Sequence, residues 1–315
     1  MKKTKTLKVL ALVLIIVLAL GLAACGKKEG GSGGASGGGA AGDTTSIDPS
    51  GDVKQALTIA AMNMKNIKSM TYDIEMNMDM EIMGMEVATV TTGTMEAINE
   101  PLKMHANMKI DAGMLGGETE IEMYAEADGN KIISYTGVDT DEEGVTWMKS
   151  EEEIDMNSLS QYDLKKTIEI YAKYADQFEY VGEEEVNGQK TARFDGEITG
   201  DAINDVAESM GLDQQLGMSE GAEALEAFKD AGAMPVSFWV DPETGIVIKY
   251  DMDMSEVMNN ITDKLLSSED TEIEGEDGET MELSFGFTKL TMTMTMTGYN
   301  NVDDIVIPEE AKNAE

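Results

Sequence analysis

The chain has 315 residues, of which 26 are methionine, and it carries one cysteine, one histidine and a formal net charge of −38 at pH 7. So acidic a surface repels nucleic acid and anionic lipid head groups, which excludes phosphate-backbone recognition and electrostatic docking on a membrane; solubility in a cation-rich exterior is the plainer use of the charge. A lone cysteine excludes an internal disulfide, so stability must come from an apolar core, for which the chain is long enough.

The first element is an address. Lys2, Lys3, Lys5 and Lys8 precede an apolar run, Val9–Ala24, that ends in the tetrad Leu22-Ala23-Ala24-Cys25. A basic start, a short apolar helix and small residues at the cut make a secretory signal. The tetrad resembles the bacterial lipobox at every position. That resemblance implies that Cys25 is thioether-linked to diacylglycerol and becomes the first residue of the mature chain; the glycine- and serine-rich stretch after it resembles the linkers of Gram-positive lipoproteins, which implies anchoring on the outer face of the cytoplasmic membrane of a Gram-positive-type bacterium. Two acyl chains suffice for stable anchoring where one is marginal. Loss of the four lysines takes the mature charge from −38 to −42. The next stretch, GKKEGGSGGASGGGAAGDTTSIDPSG, is rich in Gly and Ser and reads as a flexible coil that holds a domain roughly 25–30 Å from its anchor. The predicted division is a signal peptide over 1–24, lipidated Cys25 with its linker over 25–51, and one domain over 52–315.

The domain opens with a helix over Asp52–Ile67, capped by the aspartate, with Val53, Ala56, Leu57, Ala60 and Ala61 at helical spacing. From Met70 to Ile82 the even positions are Met70, Tyr72, Ile74, Met76, Met78, Met80 and Ile82, and the odd ones are polar; strict alternation predicts a long strand with one dry and one wet face. The parity switches to Met83, Met85 and Val87, which predicts a bulge or turn near Gly84. Leu102, Met104, Ala106, Met108 and Ile110 form the dry face of the next strand, with His105 on the wet one. Asp128-Gly129 and Asn187-Gly188 each sit between alternating runs and predict hairpin turns. A second helix is predicted over Ser160–Phe178, with Leu164, Ile168, Tyr171 and Ala175 on one stripe, and a helical pair follows from GDAINDVAESM and SEGAEALEAFKDAG. The DPETG turn separates VSFWV from an arm whose Ile246, Ile248, Tyr250, Met252 and Met254 share a face; the last long strand, ending in TMTMTMT, shifts parity between Phe287 and Leu290. Antiparallel hairpins with segregated helices predict an α+β fold on one large curved sheet that wraps the helices as an unclosed half-barrel.

The order of these pieces carries a family likeness. Ser69–Asp73 opens the first long strand, VGEEEVNGQKTARF (Val181–Phe194) and FWVDPETGIVIKY (Phe238–Tyr250) are hairpins, and NVDDIVIPEEA (Asn301–Ala311) closes the chain. Together these resemble the LolA-like half-barrel lipoprotein carriers, including the LppX/LprG type and their Firmicute relatives, over most of residues 52–311. The resemblance implies a fold whose concave face shelters acyl chains. The methionine load departs from the family pattern.

Three uses of the methionines compete. Methionine is unbranched and polarizable and fills irregular core space; it also lines adaptable cavities, because it re-packs around variable partners. As a soft thioether ligand it suits Cu(I), yet the only histidine alternates onto the polar face and no cysteine stands near. The sequence therefore favours a pliable apolar wall, formed by Met76, Met78, Met80, Met104, Met108, Ile248, Tyr250, Met252, Met292, Met294 and Met296, with the threonines of TMTMTMT outside. Its expected ligand is a lipid or acyl chain held non-covalently by a monomer, with no metal or other cofactor. The alternatives are a cell-envelope interaction module with a filled core and a soft-metal binder. No catalytic constellation is expected. GMSEG (Gly217–Gly221) matches a hydrolase elbow, but His105 precedes it instead of following. DTDEEG (Asp139–Gly144) half-fits a calcium loop, with Glu143 and Ser150 at positions that want other ligands.

Overall fold

The computed structural model describes residues 45–82, 84–113, 117–139, 144–153, 164–209, 230–267, 272–274, 280–282 and 285–314. Cys25 and the signal peptide lie outside them, as do GMSEG, most of DTDEEG, the helix expected from SEGAEALEAFKDAG and the first residues of the helix expected from Ser160. The domain starts earlier than composition places it. Ile47, the one apolar side chain in its stretch, is buried; its amide donates to the Pro242 carbonyl (2.9 Å), and Asn63 Nδ2 donates to the Thr45 carbonyl (2.8 Å). Residues 45–51 therefore pack on the folded body, ahead of residue 52.

Helix α1 (Val53–Met64) begins where the Asp52 side chain accepts the Lys54 amide, and it turns Leu57, Ala60, Ala61 and Met64 into the core. Six strands follow as a meander: β1 (Ser69–Ile82), β2 (Met85–Asn99), β3 (Leu102–Asp111), β4 (Glu118–Asp128), β5 (Lys131–Asp139) and β6 (Val145–Glu153). Helix α2 (Leu164–Lys173) and a 3-10 turn (Ala175–Gln177) lead to β7 (Phe178–Val186) and β8 (Gln189–Thr199), and α3 (Asp201–Ser209) leads on to β9 (Ala233–Val240) and β10 (Val247–Asp253). Helix α4 (Ser255–Ser267) and a small ribbon of β11 (Glu272–Glu274) and β12 (Thr280–Glu282) come before the long β13 (Phe285–Tyr299) and the terminal turn α5 (Glu309–Lys312).

Eleven strands form one sheet in the order β6-β5-β4-β3-β2-β1-β13-β10-β9-β8-β7, with every neighbouring pair antiparallel. The last strand lies at the centre and joins two meanders, one on each side. β6 and β7 are free edges, so the sheet is unclosed, and the fold is the α+β architecture that the hairpin series predicts. At the β7–β8 turn Asn187 (φ 51°) and Gly188 (φ 79°) both take the left-handed conformation that a tight hairpin turn requires. The parity switch after Ile82 is likewise a hairpin, turning at Gly84 (φ 77°). Met85, expected on the dry face, is 62% exposed at the start of β2, because the hairpin tip lies at the margin of the sheet; Val87 is buried as expected, and Met83 is outside the described residues. The parity shift in β13 is a register irregularity opposite Asp79 and Met80.

The two faces differ in kind. Helices α1–α4 lie on the inner face: α1 packs along α2, α4 packs on β13 and β9, and Val257, Met258 and Ile261 of α4 join the main core. The outer face carries the wet positions, including the threonines of β13, where Thr293 Oγ1 donates to an Asp251 carboxylate oxygen. A second, smaller core sits on that outer face. There the C-terminal segment lays Ile305, Ile307 and Ala311 over Tyr124 and Tyr135, and Lys103 Nζ pairs with Asp304 (2.6 Å).

Candidate functional site: a methionine wall on the inner face

Because residues directly opposite each other in an antiparallel sheet share a face, the register alone defines the wall. One row runs across eight strands as Phe194, Phe238, Tyr250, Met294, Ile74, Gly93, Met108 and Ile121. The adjacent row reads Val236, Met252, Met292, Met76, Thr91, Ile110 and Thr119. Met78 pairs with Leu290 and Thr89, Met80 with Phe287 and Val87, and Met296 with Tyr72. Met104 lies opposite Ala97 and Ala125.

The structure brings all eleven residues singled out from the sequence into one apolar cluster, each 2–5% exposed. Met252, Met292 and Met76 are consecutive members of one row, so three thioethers stand side by side on three hydrogen-bonded strands. Gly93 makes room for a fourth. A Cβ there would stand 2.7 Å from Met108 Sδ and 2.2 Å from the Asn107 carbonyl oxygen, so the Met108 side chain lies where a larger residue would be.

The wall changes character along its length. On the β7–β10 side it is aromatic and capped by α2: the Tyr171 ring packs on Phe178, Phe238 and Tyr250 at centroid distances of 5.6, 5.4 and 6.0 Å. The hydroxyls of Tyr171 and Tyr250 are hydrogen-bonded to each other in full burial, and Tyr250 Oη also reaches Met252 Sδ (3.3 Å). Burial pushes both phenols well above the usual tyrosine range, since a phenolate there would have no water to solvate it. The centre, β13 and β1, is methionine, and Met95, Met104 and Met108 extend it onto β2 and β3. Toward β4–β5 hydroxyl side chains enter: Thr119, Ser134 and Thr136 are half-buried on the same face.

His105 stands on the outer face, stacked on Tyr124 at 4.4 Å with Nε2 2.9 Å from Glu122 Oε1, and no cluster of His, Cys, Asp or Glu suited to a metal ion occurs among the described residues. Sequence reasoning missed three features. Helix α4 is signalled by Asp253, whose carboxylate accepts the Ser255 amide (2.9 Å), ahead of Val257, Met258 and Ile261 at helical spacing. The contribution of Tyr171 to the wall depends on where α2 docks, which no local pattern states. The outer-face core depends on the C-terminal segment folding back over β4–β6.

No helix among the described residues is long and apolar enough to cross a membrane. No curated protein matches the chain. Among solved structures it is similar to LprF from Mycobacterium bovis at 11% identity, with 85% of this chain and 100% of that one covered and a TM-score of 0.40. It is similar to the lipoprotein LppX of Mycobacterium tuberculosis at 11% identity, with 82% and 100% covered and a TM-score of 0.38. A DUF1329 family protein from Desulfovibrio piger is similar at 11% identity, with 80% and 95% covered and a TM-score of 0.23. A family model matches residues 52–315, and the chain belongs to that family, DUF6612, which is described as a family of unknown function.

Proposed function

We propose that this is an extracytoplasmic lipoprotein, anchored through Cys25, that binds a lipid or other acyl-chain ligand non-covalently against the methionine wall and catalyses no reaction. The carrying observation is the make-up of the wall. Strand interiors favour β-branched and aromatic side chains, which pack on the pleat with few rotamers. Here the central strands carry Met70, Met76, Met78, Met80, Met292, Met294 and Met296 on the dry face instead, all buried. Methionine specifies a packing poorly and re-packs readily, which costs a filled core uniqueness and suits a surface that receives variable apolar chains. Binding would be driven by burial of apolar surface, worth about 25 cal/mol per Å² before ordering costs. The lipobox and the Gly/Ser segment support anchoring outside the cytoplasmic membrane, with the acidic surface serving solubility.

A second reading, a cell-envelope interaction module with a filled core, is favoured by the burial of all eleven wall residues to 5% exposure or less. Uptake of Nile red, a neutral apolar dye, separates the two: saturable binding near one site per chain is expected, and no binding beyond that of a globular control supports the filled core. Anchoring is tested by membrane fractionation, in which Cys25→Ser is expected to move the protein out of the membrane fraction.

A further inference from the structure

The two margins of the wall differ. Toward β7 it stays dry to the last strand: Phe194, paired with Phe238, is buried, and so is Phe178 of the edge strand, on which Tyr171 of α2 packs. Toward β6 it emerges into water. The row Tyr72, Met95, Ala106, Met123, Thr136 and Met148 runs in register across β1–β6; its first four members are 5% exposed or less, Thr136 is half-buried and Met148 is 53% exposed. The flanking rows repeat the gradient. One runs from buried Ile74 to half-buried Val138 and exposed Thr146, the other from buried Met70 to half-buried Ser134 and exposed Ser150. Single apolar side chains are ordinary on a surface, but Met148 is the outermost member of a row that leads into the core. Hydroxyl side chains gather where the rows emerge, and the inner positions over 119–127, 132–138 and 146–150 carry no charged residue, in a chain whose net charge is −38.

We infer that the inner margin of β5 and β6 is the mouth of the ligand site, and that the ligand is a single-chain amphiphile whose uncharged end, an ester or alcohol, rests among Ser134, Thr136, Thr146 and Ser150 while its chain follows the rows inward to the methionines. The inference rests on the ligand-binding reading above and adds to it the direction of entry and the chemistry of the head group. An apolar chain that enters along these rows exchanges water for methionine and alanine without crossing a charged side chain. Hydroxyls at a wet margin pair with water or with an ester or alcohol oxygen equally well, so a neutral polar end is received there at little desolvation cost. An anionic end meets no cation on the inner positions of these strands and loses hydration without a paired charge in return. The opposite margin offers no such route, because the Tyr171 and Phe178 rings fill it.

The test is competition between 1-dodecanoylglycerol and dodecanoate, which share a chain and differ in the charge of the head. They are offered in equal amounts, well above the carboxyl range of pH, to the full chain in mild detergent and read by native mass spectrometry. The wild-type protein is expected to hold the glycerol ester over the anion by about tenfold. Met148→Arg is expected to shift that ratio toward dodecanoate by about fivefold, the worth of one partly exposed ion pair. Val181→Arg adds the same charge on β7, the opposite free edge, at a site 52% exposed, and is expected to leave the ratio within about 1.5-fold of wild type. Ser150→Arg, exposed on the same margin as Met148, carries the test if Met148→Arg does not fold. An equal shift from Val181→Arg, or no shift from a folded variant at the mouth, overturns the inference, as does a wild-type protein that does not favour the ester. A wild-type protein that binds neither probe overturns the ligand-binding reading itself.

Discussion

Replacing Met76, Met252 and Met292 together by leucine separates a wall that must yield from a core that must only be filled. The three are consecutive in one row across β1, β13 and β10, and each is 2–3% exposed, so the triple variant changes roughly 10 Å of continuous wall. Met and Leu are near in volume, and a volume-conserving swap costs less than about 1.5 kcal/mol per site, with non-additive terms between touching neighbours. Alanine would cost about 2–5 kcal/mol at each site, enough in total to match the whole stability of an ordinary domain. The leucine variant should therefore fold, with its melting midpoint lowered by about 2–4 °C per kcal/mol lost. What it loses is the third side-chain rotor and the thioether at three adjacent points. Nile red displacement by a series of apolar ligands, from straight-chain to branched and cyclic, should then show a narrowed range: some ligands hold their affinity while the bulkier ones lose about tenfold or more. If the variant folds and every ligand weakens by the same small factor, pliability is not what the methionines supply, and the reasoning fails.

Gly93→Ala should destabilise the domain by about 1–3 kcal/mol in urea unfolding, because its Cβ would stand 2.2 Å from the Asn107 carbonyl oxygen as well as against Met108; an unchanged midpoint would show that β2 and β3 separate freely there. Tyr171→Phe should cost about 1 kcal/mol, since Tyr250 loses its hydroxyl partner yet keeps Met252 Sδ at 3.3 Å. The pH dependence follows from the same pair. Both phenols are raised above the unfolded value of about 10, so their contribution is complete below that pH and declines as pH rises past it; the Tyr171→Phe, Tyr250→Phe double variant should flatten the alkaline loss, read as melting midpoint against pH. Removing residues 304–315 should uncover Tyr124 and Tyr135 and raise hydrogen exchange in β4–β6, leaving β1, β10 and β13 protected; uniform loss of protection would mean that the two cores are one cooperative unit.

Local rules wrote most of this fold. Alternation in Met70–Ile82 and in TMTMTMT sorts the two faces because a strand's period is two, and Asn187-Gly188 sets a hairpin because both residues tolerate positive φ. The eleven wall residues were legible for the same reason: each lies on the apolar parity of its own strand. Strand order is not written locally. Nothing in the last strand announces that it inserts between β1 and β10, yet that insertion sets Met292 between Met76 and Met252 and makes a row out of three separate patterns. The same holds for Ile305 and Ile307, which seal the outer face beside Tyr124 and Tyr135. Thr89 and Thr91 read as ordinary strand residues until pairing puts them among methionines, and Ile47 reads as linker until the Pro242 carbonyl accepts its amide. Tertiary partners decide what these side chains are for.

The central claim is that the wall holds a ligand, and native mass spectrometry of the purified protein from Thr45 to Glu315, paired with organic extraction of the same sample, tests it most directly. The account predicts a co-purifying lipid or isoprenoid near one per chain, released on extraction and restored by incubation with the extract. A clean protein mass, unchanged after incubation with that extract and with neutral acyl esters, would contradict it and leave the methionines as core.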